Sequence, residues 1–460
     1  MDVTASGEKR KREDEDGGPN PLGKRKVVLL VAYNGAKFHG LQKNPDVETV
    51  EETLENAIYK AGGIRDDNFG VLQKISWSRA GRTDKGVHAL GQIISLKMIL
   101  AHESMVDAIN AQLNRPDVRV LGIERANNNF CAHTSCTSRE YEYLLPVSVL
   151  RQSGGAEGTS SAAAVADVGS AAESTAAASS ATPLLSAAGM ERLQSLLRSL
   201  EGTHSFHNFT DGKMSASDKQ AQRYMIRLAP HALLLLEGVA YVPLFFHGQS
   251  FLLHQIRKMV ALVCATFRGD VPADALQTAL ADGRIAPLPM APSCALILRR
   301  AFFEQYERRR KHEAYSDRSS VHFPTLEGAK DAYREEQILP HVARAEASGE
   351  FAAFVKALRG YHLAPRPDAE ADAPINSADR RPALVERWAA AKRAKDFETA
   401  DQLRDELRAL GVDAATEKLL YTDGSSYVPV RSTTEEGAAK DSRECDAGDH
   451  GTDERERLSE

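Results

Sequence analysis

The chain has 460 residues and a formal net charge of −6, and 42% of its residues are hydrophobic. This length can bury a sizeable core and predicts two domains with tails, while no stretch approaches the ~18 uninterrupted apolar residues that a membrane helix needs. The net charge disfavours an indiscriminate nucleic-acid binder, although residues 24–310 are mildly basic and residues 432–460 are acidic. The five cysteines form no CxxC pair, which is typical of an intracellular protein and not of a disulfide framework.

The first 25 residues are polar and contain two basic clusters, Lys9–Arg12 and Lys24–Lys26, with an acidic spacer between them. This pattern resembles a bipartite nuclear-import signal, and it is equally typical of a disordered, charge-rich tail. The N-terminus has no apolar h-region, and its acidic residues disfavour a mitochondrial transit peptide. We predict a disordered tail over 1–25 and a nuclear location, with the cytoplasm as the alternative.

Residues 26–150 form a first α+β half. A buried strand from Val27 ends in an Asn-Gly turn, and Thr49 caps a helix in which Glu52 completes a capping box. Residues 72–78 and 88–97 are predicted as strands, and residues 104–113 as a second capped helix. One or two alternating strands follow over 128–146.

Residues 151–187 form a low-complexity Ser/Ala/Gly insertion, which favours a flexible segment. Residues 188–362 form a second α+β half with a helical extension. It begins with a helix and continues with strands up to Gly248; Ser250 is then predicted to cap a long helix over 251–269, and a short helix follows at 273–282. Both halves mix strands with two helices, which predicts a pseudo-repeat.

Residues 380–418 are predicted as two short amphipathic helices that form a hairpin, and residues 432–460 as a disordered acidic tail. The hairpin resembles the one at the end of cysteinyl-tRNA synthetases, which implies an added tRNA-binding module. A peripheral or protein-contacting hairpin is the alternative. Similarly, the charge run Arg308–Lys311 fits either an RNA-facing helix end or a solvated surface.

No convincing metal or cofactor site is present in the sequence. His204 and His207 have i, i+3 spacing without a further ligand nearby, and Cys131, His133 and Cys136 are expected on an alternating strand. Neither a glycine-rich phosphate loop nor a GxSxG elbow occurs. We therefore predict no cofactor and no metal.

The stretch "RAGRTDKGVHALGQII", residues 79–94, places one carboxylate, Asp84, among Arg79, Arg82 and Lys85 on a glycine-containing loop. One interpretation is a surface turn with a screened ion pair, which contributes little stability. The other is a carboxylate that neighbouring cations keep ionised for chemistry. The residues of this loop leave both interpretations open.

Three other residues extend the chemical interpretation: Arg139 and Tyr141 in "SREYEY", and Arg257 on the long helix. Arginines bind phosphates and can fill the gap left by a flipped base, and an aromatic ring can stack on that base. A carboxylate can act as a nucleophile or base at a sugar carbon. Together they suggest a reaction on an RNA base, although Arg257 alone also fits a surface helix and Tyr141 a core strand.

The 79–94 stretch resembles the catalytic motif of the TruA family of pseudouridine synthases, in which an Arg-Thr-Asp-x-Gly-Val-His run holds the catalytic aspartate. The resemblance covers about residues 26–361 and favours the eukaryotic multi-site branch. Supporting segments follow in the family's order at 32–58, 130–143, 202–210, 248–263 and 288–298. Leu41, His133 and Ala295 depart from residues common in the family.

The resemblance implies that Asp84 is the catalytic carboxylate, Arg257 its ion-pair partner, Tyr141 the ring stacked on the target uracil and Arg82 a plug for the vacated stack. It implies two pseudo-symmetric α+β halves that form a continuous, mostly antiparallel sheet, with helices on one face and a basic RNA-binding cleft between the halves. The implied substrate is tRNA; other RNAs and a homodimer are left open. The RNA-binding residues would be Arg79, Arg82, Lys85, His88, Arg139 and Lys258.

Two functions other than pseudouridine synthesis also fit parts of the sequence. A catalytically silent RNA-binding or RNA-folding protein on the same scaffold has no need of Asp84, Tyr141 and Arg257 together. A phosphatase with an aspartyl nucleophile would require a DxD pair and a metal, and Asp84 has no such neighbour. The enzyme is therefore the predicted function.

Overall fold

A computed structural model describes residues 23–151, 185–211, 214–281, 283–311 and 319–365, together with five single residues beyond them. The chain divides into two compact units, Met1–Ile375 and Asn376–Glu460. None of the helices in the described part is long and apolar enough to cross a membrane. The N-terminal tail, nearly all of the Ser/Ala/Gly insertion and the acidic C-terminal tail lie outside the described residues.

One sheet organises the first unit. Its strands within the described residues are β1 (Arg25–Tyr33), β2 (Ser78–Arg79), β3 (His88–Met98), β4 (Val118–Arg125), β5 (Ser138–Pro146), β6 (Gly202–Ser205), β7 (Gln222–Pro230), β8 (Leu234–Leu236), β9 (Val239–Gly248) and β10 (Leu296–Phe302). Their order is β4-β1-β3-β10-β5-β9-β7-β6, with β2 on β3 and β8 on β9. Among these strands only β3 and β10 pair in parallel, so the sheet is mixed and mostly antiparallel. The α+β prediction is confirmed.

The helices of the described residues pack around this sheet. They are α1 (Val50–Lys60), α2 (Met105–Leu113), α3 (Ala187–Arg198), α4 (Gln255–Arg268), α5 (Ala275–Leu280), α6 (Glu304–Arg310), α7 (Glu327–Tyr333), α8 (Leu339–Ala347) and α9 (Glu350–Arg359). The predicted caps hold, because Thr49 accepts a hydrogen bond from the amide of Glu52 and Ser104 accepts one from that of Asp107.

The two faces of the sheet bury different clusters. Along β1, Val27 and Leu29 belong to the larger cluster, which α1–α5 cover, and Val28 and Leu30 belong to a smaller one. The smaller cluster includes Tyr306 of α6. The prediction of helices on one face therefore fits α1–α5 and fails for α6.

Three predicted elements are wrong. The strand predicted over 128–146 begins only at Ser138, so Cys131, His133 and Cys136 lie in a turn-containing segment and not on an alternating strand. Residues 72–78 form a 3₁₀ turn, Leu72–Ile75, and then only the two-residue β2, because Ser76 has a left-handed backbone with φ of 50°. The long helix begins at Gln255 and not at residue 251. His254 has φ of 62° and precedes the first helical residue, so Ser250 does not cap α4.

The C-terminal extension, residues 319–365, carries α7–α9. Its buried side chains, including Tyr333, Val342 and Phe351, join the larger cluster. In the second unit, five residues are described, all helical: 384, 387, 388, 399 and 403. The rest of the predicted hairpin lies outside the described residues.

Candidate active site

Asp84 lies on the loop between β2 and β3, as predicted. Hydrogen bonds hold the part of this loop that precedes Asp84: the carbonyl of Thr83 accepts from the amide of Leu41 over 3.1 Å, and the carbonyl of Gly81 accepts from Gln92 over 2.8 Å. The hydroxyls of Thr83 and Tyr33 are 2.7 Å apart. Burial raises the pKa of Tyr33 to about 12, so its hydroxyl stays protonated at neutral pH. The backbone that carries Asp84 is therefore fixed.

Two glycines permit the close packing around this loop. Gly86 has φ of 79°, and a Cβ there would lie 2.6 Å from Oγ of Ser293. Gly40 has φ of 93°, and a Cβ there would lie 2.9 Å from the carbonyl oxygen of Thr83. Both positions need glycine for the backbone angle and for the space.

The side chain of Asp84 is 26% exposed and faces the start of α4. Its Oδ2 lies 3.8 Å from Nε2 of His254. Burial lowers the pKa of His254; the charge of Asp84 opposes that shift, and the charges of Arg257 and Lys258 add to it. His254 was not predicted from the sequence as a site residue, although it stands three residues before Arg257 in the same segment.

The predicted ion pair between Arg257 and Asp84 is not formed. Nε of Arg257 donates to the carbonyl of Ala291 over 2.6 Å, and among the described residues the salt bridge of Asp84 within 4.0 Å is the one to His254. Burial lowers the pKa of Arg257, and the nearby Tyr143 and Asp84 oppose this shift. Arg257 therefore interacts with Asp84 electrostatically, without a direct ion pair.

Tyr141 is on β5 and is 7% exposed. Its ring packs edge-on against Phe251, with centroids 5.2 Å apart. Its hydroxyl lies 3.7 Å from the position that a Cβ of Gly81 would occupy, which puts the ring beside the loop of Asp84. Burial raises the pKa of Tyr141 above its usual value, and Asp84 contributes to the increase.

Of the six residues predicted to bind RNA, Arg82 and Lys85 are exposed and have no carboxylate within 4.0 Å in the described part of the chain. Arg79 forms an ion pair with the buried Glu51, with Nε 2.7 Å from Oε1. Arg139 donates to the carbonyls of Ala80 and Gln249. These two arginines support the loop backbone.

His88 and Lys258 do not fit the predicted RNA contact because both are buried. His88 is fully buried, accepts from the amide of Gly35 over 3.0 Å and donates to the carbonyl of Cys294 over 2.8 Å. Burial lowers its pKa to about 3, so it is neutral. Lys258 donates to the carbonyl of Thr210, and burial lowers its pKa to about 8. Both side chains therefore stabilise the fold through hydrogen bonds to backbone groups.

Several known proteins are similar to this chain in sequence. A family model described as tRNA pseudouridine synthase matches residues 196–304, which include His254 and Arg257 but not Asp84 or Tyr141. The chain is 34% identical over 337 residues to "Pseudouridylate synthase 1 homolog" of Mus musculus, covering 73% of each chain. It is 31% identical over 401 residues to "tRNA pseudouridine synthase 1" of Yarrowia lipolytica, covering 73% of this chain and 75% of the relative. The protein of that name in Saccharomyces cerevisiae is 32% identical over 365 residues, or 66% of each chain.

Proposed function

The chain belongs to the tRNA pseudouridine synthase family, and from this premise we propose that it converts uridines of tRNA to pseudouridine with Asp84 as the catalytic carboxylate. Family membership confirms the prediction made from the 79–94 motif and makes the chain an isomerase. The observation that carries the role of Asp84 is its place on a fixed loop, partly exposed, beside Tyr141 and the start of α4. The substrate rests on the relatives, whose names specify tRNA.

The reaction needs no redox step, because uridine and pseudouridine are isomers. The C1′–N1 bond breaks, the uracil turns, a C1′–C5 bond forms, and the proton on C5 is released while N1 gains one. A carboxylate can start this by attack at C1′ or by taking a proton from C2′. Both routes require Asp84 to be ionised.

Tyr141 and Arg82 complete the proposed site. The ring of Tyr141 is held in place by Phe251 and is the aromatic surface beside Asp84 on which the extruded uracil stacks. Arg82 precedes Asp84 by two residues and is exposed, so its guanidinium can enter the gap in the RNA stack. Arg257 acts as the longer-range electrostatic partner of Asp84.

The basic cleft and the pseudo-symmetry belong to the same proposal. Burial lowers the pKa of His133, and the charges of Arg139, Arg82 and Arg79 lower it further, which supports a concentration of positive charge beside the loop. In the sheet, β4-β1-β3 of the first half and β9-β7-β6 of the second flank the central pair β10-β5, which supports two related halves. RNA would bind where Arg82 and Lys85 are exposed.

Nuclear import through the two basic clusters of residues 1–25 remains a proposal of its own. Fusion of residues 1–30 to a fluorescent reporter should concentrate the reporter in nuclei, and substitution of Lys9–Arg12 by alanine should abolish this. An evenly distributed reporter would remove the proposal.

Release of tritium from tRNA labelled at uridine C5 tests the proposed function, because only the step at C5 frees that label. The intact protein should release tritium, and Asp84→Asn should not, while both bind tRNA equally in a parallel binding assay. If neither releases tritium although both bind tRNA, the protein is a catalytically silent RNA binder or acts on another RNA.

A further inference from the structure

His254 occupies an unusual place in the backbone. It has φ of 62° and ψ of 1°, which is the left-handed region that a non-glycine residue rarely adopts. It is also the residue immediately before α4, and its side chain accepts no hydrogen bond from the first turn of the helix. The imidazole therefore does not cap the helix and is free for another role.

The imidazole is directed towards Asp84. Nε2 lies 3.8 Å from Oδ2 of Asp84, and the two side chains are 29% and 26% exposed, so both border solvent at the edge of the site. The two cations that follow in α4 point elsewhere, since Arg257 donates to the carbonyl of Ala291 and Lys258 to that of Thr210. Of the three basic side chains at the start of α4, only His254 contacts the carboxylate.

The charges around His254 come from three elements. Arg257 and Lys258 of α4 and burial all favour the neutral imidazole, while Asp84 of the loop and Asp211 favour the protonated form. Burial and the two cations outweigh the two carboxylates, so the pKa of His254 lies below its usual value and the imidazole is neutral at pH 7. A neutral ring with its proton on Nε2 can donate to Oδ2 of Asp84 once the 3.8 Å gap closes by about 1 Å.

On the basis of the proposed function, we propose that His254 is a positioning residue for Asp84. A hydrogen bond from Nε2 to Oδ2 fixes the rotation of the carboxylate and leaves Oδ1 to act on the sugar. Protonation of His254 converts this hydrogen bond into an ion pair, which stabilises the carboxylate charge and makes Asp84 less reactive. Activity should then fall as the pH is lowered through the pKa of His254.

Turnover kinetics of His254→Ala and His254→Gln provide the first test. Loss of positioning should lower kcat of His254→Ala on the order of 10- to 100-fold, with KM for tRNA changed less than about twofold. His254→Gln keeps an N–H donor and should retain most of kcat. Thermal unfolding of both variants shows whether they fold. Unchanged kcat in a folded His254→Ala, or a change in KM alone, would overturn the proposal.

The pH profile separates positioning from a merely structural role. Burial lowers the pKa of His254 below the ordinary histidine value of about 6.5, so the wild type should lose kcat as the pH falls through that lowered pKa. His254→Gln should lack this acid inflection. The same acid inflection in both proteins would contradict the inference.

A third readout needs no turnover and so separates this inference from the proposed function. In NMR titration of the selectively labelled histidines, the pKa of His254 should fall in Asp84→Asn, because the opposing charge is gone. An unchanged pKa would refute the pairing even if the wild type forms pseudouridine. A lower pKa in a protein that forms no pseudouridine would sustain the pairing and refute the catalytic role of the site.

Discussion

Arg334 of the C-terminal extension binds Glu142 of β5, with Nη2 2.6 Å from Oε1. Glu142 is almost completely buried, and Arg299 of β10 pairs with its other oxygen over 3.1 Å. Glu142 is also the neighbour of Tyr141 in β5. The extension is therefore tied to the strand that presents the aromatic ring of the site.

Substitution of Arg334 by methionine should lower the free energy of unfolding by about 3 kcal/mol, because it leaves a buried carboxylate with one partner in place of two. Urea denaturation measures this. Arg308→Met on α6, whose side chain is 80% exposed, is the matched control and should change stability by less than about 0.5 kcal/mol. Equal effects of the two substitutions would contradict the importance of the buried pair.

The double variant Glu142→Gln, Arg334→Gln checks that the effect arises from this pair. It should be less destabilised than the sum of its two single variants, because removal of both charges leaves neither one uncompensated. Strict additivity would mean that the two residues act independently.

Gly40→Ala should destabilise the protein and reduce turnover on the order of 100-fold, because a Cβ there would lie 2.9 Å from the backbone carbonyl oxygen of Thr83 and would shift the loop of Asp84. Gly70→Ala is the matched control: its φ is 80°, and nothing lies within 4 Å of its Cβ position. The control should cost about 1 kcal/mol for the backbone angle alone. Turnover and urea denaturation of both variants measure the difference, and equal losses of turnover would refute the packing argument.

Lys85→Gln should weaken tRNA binding and reduce the slope of log affinity against log salt by about 1, because an exposed cation that contacts phosphate releases one counterion. Titration of tRNA at several salt concentrations measures this slope. Lys60→Gln removes the same charge from the exposed end of α1 and should leave the slope unchanged. Identical slopes for Lys85→Gln and the wild type would exclude a phosphate contact of Lys85.

His88 should make stability depend on pH. Its pKa is lowered by burial to about 3 in the folded protein, whereas an unfolded histidine titrates near pH 6.5. Between these values the unfolded chain binds the extra proton, so stability is full above about pH 6.5 and falls by about 1.4 kcal/mol per pH unit below it. Urea denaturation from pH 7 to 4 should show this slope reduced in His88→Gln. An unreduced slope would mean that other groups cause the pH dependence.

Local signals in the sequence were sufficient for much of the fold. The apolar runs predicted β1 and β3, and the caps Thr49 and Ser104 predicted α1 and α2. The start of α4 could not be predicted, because Ser250 is a better cap by residue type than His254, whose left-handed backbone depends on tertiary packing.

The candidate site was predicted less completely than the fold. The motif located the loop of Asp84, but residue type alone could not distinguish the exposed Arg82 from the buried His88. Burial of His88 depends on Gly35 and Cys294, which are distant in the sequence. The bond of Arg334 to Glu142 spans 192 residues and has no local signature.

The most direct test of the central claim is nucleoside analysis by mass spectrometry of unmodified tRNA incubated with stoichiometric protein. Pseudouridine and uridine have equal mass, so chromatographic separation with a pseudouridine standard identifies the product. The wild type should form pseudouridine, and Asp84→Asn, folded and bound to tRNA, should form none. Pseudouridine formation by Asp84→Asn at the wild-type rate would contradict the assignment of Asp84 as the catalytic carboxylate.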